Sequence, residues 1–192
     1  MIFGCDRMQC IILDKKVDYD GSQISSLWAY NIADVQEDSV IAFRGKCDVE
    51  VEHMIDLEDR KNDDLILSED MLHFIVEHFD STDLRLVYAR QRLFTAIVAE
   101  VLSEYRSDVI RKGDDLFVEG KKLTVSIAST SAVSQKFHFG INISHDYYAS
   151  LQDLGAGNDE VVTIMEKIAV LYHDEFVDIE RDLRKSRSLD VM

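Results

Sequence analysis

The chain has no proline, only three cysteines and no long apolar run. Average usage near 5% would give roughly nine or ten prolines in 192 residues, and the sequence offers no physical reason for their absence. Cys5, Cys10 and Cys47 are an odd number without CxxC spacing, which argues against a disulfide framework and a zinc knuckle. We therefore expect a reducing, cytoplasmic setting.

Membrane insertion is not indicated by the sequence. No apolar run approaches the roughly 18 residues needed to cross a bilayer. The first ten residues contain Asp6 and lack the clean apolar core of a signal peptide. We expect no membrane partner.

Positive charge is also scarce. The 21 lysines and arginines face 37 aspartates and glutamates, which gives a net charge of −16. Such a surface repels phosphate backbones and lacks the counterion release that drives nucleic-acid binding, so no nucleic-acid partner is predicted. Residues 85–136 are the exception, with nine basic against six acidic residues. Two interpretations stay open for this segment: a place for a small anion, or chance clustering on a solvated face.

The apolar content of 46% and the length of 192 residues are those of an ordinary globular protein with one substantial core. We expect a single domain over residues 1–192. Four helices are predicted, starting at Asp20, Ser68, Asp83 and Asn158. The last two have apolar residues at spacings of three and four, to about residues 105 and 179.

The helix predicted at Ser68 rests on capping chemistry. Ser68 is a natural N-cap, and Glu69 and Asp70 suit the positive end of a helix dipole. On this helix His73 and Glu77 would lie one turn apart, as surface polar groups.

Two apolar or alternating segments, 40–43 and 48–52, predict a pair of strands. His53 and Asp56 follow where the second strand would end. They are candidates for an acid/base pair or for holding a divalent cation; a solvated acidic loop or a capping role is the alternative. Because no second histidine or cysteine follows at ligand spacing, no set of metal ligands is assigned.

Residues 114–144 have the clearest strand pattern. Segments 116–118, 123–129 and 137–143 predict a small antiparallel sheet. Polar side chains lie among these otherwise apolar segments, where binding chemistry is commonly built on a rigid frame: Asp115, Lys121, Lys122, His138 and Asn142.

The same stretch resembles the core of biotin and lipoate protein ligases. DDLFVEGKKL followed by HFGINI is similar to the order of an Asn-Asp pair, a catalytic lysine and a Gly-x-Asn motif in that family. The resemblance implies catalytic roles for Lys122 and Asp115 and ligand contacts from Gly140 and Asn142. Val125 and Asp114 differ from the family pattern, which has a small residue and an asparagine there.

The whole chain is identified as a member of a mostly archaeal family, domain of unknown function 366. The residues that carry this resemblance are YDGSQ (19–23), HMIDLED (53–59), HFIVEHFD (73–80) and the GKKL to GINI block. It implies an α+β fold with a mainly antiparallel sheet flanked by helices, as in biotin/lipoate protein ligases and class II aminoacyl-tRNA synthetases.

We therefore expect a small anionic ligand, a nucleotide or acyl-adenylate, near Lys122, with ATP and Mg²⁺ as the cofactors that adenylate formation would use. The further ligand-binding candidates are Arg44, Gly45, Lys121 and His138. Two alternatives remain: a degenerate ligase fold serving as a binding or oligomerisation module, including a homodimer, and a metal-dependent enzyme using His53 and Asp56.

Overall fold

A computed structural model describes residues 2–5, 8–62 and 66–189. Nine strands are present in this part of the chain: β1 Ile2–Cys5, β2 Met8–Ile12, β3 Asp38–Val49, β4 Ile66–His78, β5 Ile110–Lys112, β6 Asp115–Val118, β7 Lys121–Lys122, β8 Thr124–Thr130 and β9 Gln135–Asn142. The helices are α1 Trp28–Ala33, α2 Leu57–Asn62, α3 Leu84–Ser103 and α4 Asn158–Lys185, with short 3₁₀ turns at Ser22–Ile24, Val51–His53 and Leu151–Leu154.

A six-stranded sheet forms the centre, in the order β1-β2-β3-β4-β9-β8. Neighbouring strands are antiparallel except for β2 and β3, which are parallel. A smaller antiparallel sheet, β5-β6-β7, precedes the edge strand β8. The predicted α+β class with a mainly antiparallel, helix-flanked sheet is confirmed.

The two faces of the large sheet are covered differently. On one, the helix face, α3 and α4 bury a large apolar cluster that includes Phe74 on β4 and Phe139 on β9. On the other, the open face, a smaller cluster lies beneath the chain between β2 and β3 and includes Met71, Ile75 and Tyr19. The open face therefore has the thinner cover.

The helix predicted from Ser68 is wrong, because this segment forms strand β4. Residues 66–78 form the long strand between β3 and β9, so His73 and Glu77 are buried, not on the surface. A strand covered on both faces is apolar almost throughout and does not alternate. Because apolar residues occupy both faces of such a strand, they also occur at the spacings of three and four that predict a helix.

The predicted pair of strands is wrong, because both segments fall in or next to strand β3. Segments 40–43 and 48–49 belong to one continuous strand, and Val51–His53 is a 3₁₀ turn. The Arg44-Gly45-Lys46 sequence thus lies inside a strand. A Cβ on Gly45 would lie 1.9 Å from the Val17 carbonyl oxygen, so the glycine is required by close backbone packing.

The helix predicted at Asp20 is only one turn long there. The Asp20 side chain accepts from the Ser22 backbone N–H at 2.9 Å, and Gln23 Oε1 accepts from the Asp20 N–H at 3.2 Å. The reach-back bond thus exists, but it closes the 3₁₀ turn Ser22–Ile24. Helix α1 starts later, after Leu27 in the left-handed region.

The helices predicted from Asp83 and Asn158 are confirmed as α3 and α4. Asp83 is the N-cap of α3, since its carboxylate accepts from the backbone N–H groups of Arg85 and Leu86. The described residues contain no helix that is both long and apolar enough to span a membrane.

The turn between β6 and β7 explains the start of the central stretch. Val118 pairs with Lys121 across two residues with positive φ, Glu119 at 51° and Gly120 at 78°. Two positive φ values are typical of a type I′ hairpin turn. The turn fixes the position of Lys122 opposite Phe117.

Candidate functional site

A cavity of about 540 Å³ opens on the open face of the sheet. Its walls come from β3, β4, β7, β8 and β9 and from the chain on either side of His53. Apolar residues make up about half of the lining, and the polar or titratable lining residues are Tyr19, His53, Asp56, Ser68, Lys122, Thr124, Ser126, His138, Asn142 and Tyr148. A volume of this size is typical of small-molecule sites.

A bulge in β4 brings two lining residues to the same face. Gly45 pairs with Met71, whereas Cys47 pairs with Ser68, so β4 has one residue more than β3 over this interval. The extra residue reverses the alternation of side chains. Ser68 and Met71 consequently both line the cavity although they are three residues apart.

Lys122 and Asp115 form an ion pair at the cavity. Lys122 Nζ lies 2.9 Å from Asp115 Oδ2, and both side chains are partly exposed. Burial raises the pKa of Asp115, and the adjacent lysine opposes this rise. Lys122 lines the cavity, while Asp115 holds the lysine from behind.

The neighbouring Asp114 is paired. Its carboxylate lies 3.2 Å from an Arg92 side-chain nitrogen and accepts hydrogen bonds from Gln91 and from the Ser126 hydroxyl. Its charge is therefore balanced by an arginine from α3.

Three aromatic rings stack at the base of the cavity on the open face. Tyr19 stacks on His138 with centroids 3.6 Å apart and planes 10° from parallel. His73 Nδ1 lies 3.0 Å from His138 Nε2, and His73 Nε2–H donates to the Gly45 carbonyl at 3.4 Å. Burial lowers the pKa of His73 to about 4 and holds the pKa of His138 well below its ordinary value.

Gly140 and Asn142 lie on the same face of β9 as His138. Space above Gly140 is filled, because a Cβ there would meet Met71 Cε at 2.8 Å and Val125 Cγ2 at 3.1 Å. Asn142 lines the cavity and donates through Nδ2 to the Ala149 carbonyl at 3.2 Å. Val125 thus narrows the cavity without closing it.

The remaining ligand-binding candidates lie away from the cavity wall. Arg44 makes a two-pronged ion pair with Asp70, through Nε at 2.8 Å and through a terminal nitrogen. Gly45 packs against the Val17 backbone, and Lys121 is exposed. None of these three lines the cavity within the described residues.

His53 and Asp56 both line the cavity. His53 Nδ1–H donates to the Asp20 carbonyl at 3.0 Å, and Asp56 Oδ1 accepts from the Glu58 backbone N–H at 2.7 Å, at the start of α2. Among the described residues, the only group of three ligand atoms close enough to hold a metal is at Asp38, His78 and Asp80, not here. The side chain of Asp59 and residues 63–65 of the acidic loop lie outside the described part.

Asp38, His78 and Asp80 are already engaged by protein partners. His78 bonds to Asp38 at 2.9 Å and to the Tyr172 hydroxyl at 2.9 Å. Asp80 makes a two-pronged pair with Arg90 at 2.7 and 2.6 Å. These contacts satisfy the group as a structural network.

Sequence reasoning missed two buried features of the open face. One is His73 in the ring stack. The other is the ion pair between Glu77 and Lys136, 3.0 Å apart and almost fully buried. The sequence signal that could have revealed them is the apolar run around His73 and Glu77. A histidine or glutamate in a strand that is buried on both faces needs a hydrogen-bonding partner inside the protein.

A family profile, a curated relative and a solved structure are each similar to this chain over nearly its whole length. The profile of the family described as "Domain of unknown function (DUF366)" matches residues 8–187. The uncharacterized protein MJ0805 of Methanocaldococcus jannaschii is 42% identical over 197 residues, spanning 98% of this chain and 88% of that protein. A protein of unknown function from Pyrococcus horikoshi superposes with a TM-score of 0.89 at 36% identity, over 95% of this chain and 99% of the other.

More distant structures share the fold. The biotin protein ligase of Aquifex aeolicus, solved with biotin and ATP, has a TM-score of 0.53 at 14% identity, covering 90% of this chain and 72% of the ligase. Lipoate protein ligases are among the similar structures as well. At such low identity the likeness concerns the fold alone. The chain belongs to the DUF366 family and has the fold of biotin and lipoate protein ligases.

Proposed function

We propose that this protein binds a small molecule with an apolar body and a single negative charge, a carboxylate or its acyl-adenylate, in the cavity beside Lys122. The observation that carries the proposal is the lining itself. Apolar side chains, most of them from β3, β4 and β8, form about half of the wall, and Lys122 supplies a cation held at 2.9 Å by Asp115. Apolar walls combined with a few placed polar groups are the usual form of a small-molecule site.

Lys122 is suited to meet an anion. An ammonium group has three donors, and the pair with Asp115 leaves others for a ligand. The protein as a whole carries a net charge of −16, so an anion gains little from the average surface. Attraction at this site must therefore come from the local cation.

The described lining carries one cation, Lys122, and one carboxylate, Asp56, which limits the ligand to at most a single negative charge. Lys122 is the one lysine or arginine among the described cavity residues. Arg44 is committed to Asp70, and Arg92 lies against Asp114. A magnesium-bound triphosphate needs several cations and oxygen ligands around it, and this lining does not fit one. The proposal therefore includes no ATP-dependent step.

The module alternative and the metal alternative gain less support. A module that had lost its ligand site would be expected to fill the space around Lys122, whereas about 540 Å³ is open beside it. His53 and Asp56 gain no third ligand from the described residues. The geometry favours the small-molecule site.

The test compares two adjacent lysines. Lys122→Ala should weaken binding of octanoate, lipoate, biotin or a sulfamoyl mimic of an acyl-adenylate by about 10- to 100-fold, as expected for a lost charged hydrogen bond. Isothermal calorimetry and thermal shift measure this. Lys121→Ala removes the same charge from an exposed neighbour and should leave affinity within about twofold. Equal affinities in both variants, or no binding of any probe to the wild type, would refute the proposal.

A further inference from the structure

The hydrogen bonds under the cavity fix which nitrogen of each histidine carries a proton. A carbonyl oxygen only accepts, so the contact between His73 Nε2 and the Gly45 oxygen requires a proton on Nε2. Neutral His73 has no second N–H. Its Nδ1 is then an acceptor.

The neutral form of His73 follows from its surroundings. The ring is fully buried and stacks against Phe43, Tyr19 and His138. Neither ring nitrogen bonds to a carboxylate, since their partners are His138 and the backbone at Gly45 and Lys46. An imidazolium there would lose its hydration with no carboxylate in contact. The charges of Asp18 and Asp70 favour the charged form, but burial outweighs them and lowers the pKa of His73 to about 4.

The tautomer of His138 follows from that of His73. Because His73 Nδ1 accepts, His138 Nε2 must donate across the 3.0 Å contact. His138 Nδ1 is then the unprotonated nitrogen. No hydrogen bond within the described residues uses it, and His138 lines the cavity.

A second polar group in the lining also lacks a partner. Ser68 is 4% exposed, and its hydroxyl makes no hydrogen bond to the described residues. Ser68 lines the same cavity. Ser68 precedes Met71 on β4, and Met71 pairs with Asn142, so this hydroxyl lies beyond the Asn142 end of the cavity, away from His138.

We infer that the ligand of this cavity carries a hydrogen-bond donor, a hydroxyl or a ring N–H, which it places on His138 Nδ1 at the end of the cavity remote from Lys122. His138 and Asn142 are four residues apart on β9, or about 13 Å, and Lys122 lies at the Asn142 end, where its carbonyl accepts from Ala149. The inference rests on the proposed function for the position of the anionic group. It divides ligands into two classes: acids with a distal donor and acids whose far end is purely apolar.

The tautomer can be measured without any ligand. Long-range ¹H–¹⁵N correlation spectra of histidine-labelled protein at neutral pH should show His138 protonated on Nε2 and bare on Nδ1, and His73 in the same tautomer. A proton on His138 Nδ1 overturns the inference at once.

Three matched acids test the class of ligand. Octanoate has an apolar end, 8-methoxyoctanoate adds only an acceptor, and 8-hydroxyoctanoate adds a donor. We expect the hydroxy acid to bind about tenfold more tightly than the other two, the ratio typical of one hydrogen bond to a buried acceptor. Equal affinity of the hydroxy and methoxy acids contradicts the inference.

His138→Phe removes the acceptor and keeps a ring against Tyr19. In this variant octanoate should bind as in the wild type, and the preference for the hydroxy acid should disappear. A preference that persists overturns the assignment to His138. If the variant does not fold, the tautomer and the wild-type series still decide the matter.

Failures of the two proposals are distinguishable. Binding that depends on Lys122 but ignores the distal hydroxyl leaves the proposed function standing and overturns the inference. Binding that prefers the hydroxy acid but is unaffected by Lys122→Ala overturns the role of Lys122 in the proposed function and leaves the donor on His138 standing. If neither these three acids nor lipoate, biotin and the sulfamoyl mimic bind at millimolar concentration, the proposed function fails and the inference about its ligand falls with it.

Discussion

The helix face and the open face of the sheet are both buried, but by different chemistry. On the helix face, aromatic rings pack closely: Phe94 lies 5.2 to 5.4 Å from Phe74, Phe137, Phe139 and Tyr172. On the open face the central positions hold His73, His138, Glu77 and Lys136. Only two helices are needed to fill the first face, whereas the second combines internal polar pairs with an open cavity.

On the open face, buried polar side chains occupy positions that apolar side chains fill on the helix face. Buried polar groups must be paired, and each pair fixes one arrangement of neighbouring strands and loops. Glu77 accepts from the Ser134 hydroxyl at 2.8 Å and from the Leu27 N–H at 3.3 Å, while Lys136 donates to the Ser25 carbonyl. The pair thus attaches the chain around residues 25–27 to the sheet, next to the histidine stack.

The strongest test of the comparison is Lys136→Met. It leaves the fully buried Glu77 without its cation, and the expected loss is about 3–5 kcal/mol of unfolding free energy, as for other broken buried ion pairs. Urea denaturation at neutral pH measures it. Lys121→Met, at an exposed lysine, should change stability by less than about 0.5 kcal/mol. A loss below about 1 kcal/mol for Lys136→Met would mean that the pair is not buried in solution.

A pH titration tests the histidine stack. His73 has a folded pKa of about 4, below its ordinary value of 6.5, so the stability it contributes is fully present above pH 6.5 and is lost as the pH falls towards 4. The difference between these two pKa values corresponds to about 3 kcal/mol, and the lowered pKa values of His138 and His78 act in the same direction.

The control for the titration is His73→Phe. The variant should lose less stability between pH 7 and 4.5 than the wild type, measured by chemical denaturation at each pH. The carboxylates with lowered pKa values, Asp70 and Asp80 among them, lose their contributions only below about pH 4. An unchanged pH dependence in His73→Phe would show that the ring is hydrated.

The smallest expected effect compares one valine from each face. Val98 is fully buried under the helices, and Val125 is half-buried at the cavity. Val98→Ala should lower the free energy of unfolding by about 2–3 kcal/mol, because it removes two buried methyl groups and leaves a void. Val125→Ala should cost less than about 1 kcal/mol, since its methyl groups already border open space. Equal losses in thermal or urea unfolding would contradict the contrast between the faces.

Much of the fold can be predicted from patterns that depend on near neighbours. Helices α3 and α4 show their apolar stripe at spacings of three and four, and Asp83 caps α3 as its sequence position indicates. The hairpin at Glu119-Gly120 is recognisable as a turn between two apolar segments. These signals are local, because helix periodicity and turn conformation are decided within a few residues.

Strand β4 cannot be predicted in the same way. Its apolar run serves two faces at once, and its Ser-Glu-Asp sequence imitates a helix cap. Lys122, His138 and Asn142 are site candidates by sequence and lie at one cavity. Ser68 and Tyr19 are not, because they reach the cavity through the β4 bulge and the chain that runs beside β3.

The sequence by itself determined the acidic surface, the two long helices, the β-rich stretch around Lys122 and the family. Tertiary structure alone decided that His73 and Glu77 are buried, that Arg44 is committed to Asp70, and that Lys122 and His138 belong to one cavity. The physical reason is that local conformation depends on neighbours in sequence. Burial, pairing and tautomer depend on which strands become neighbours in the sheet.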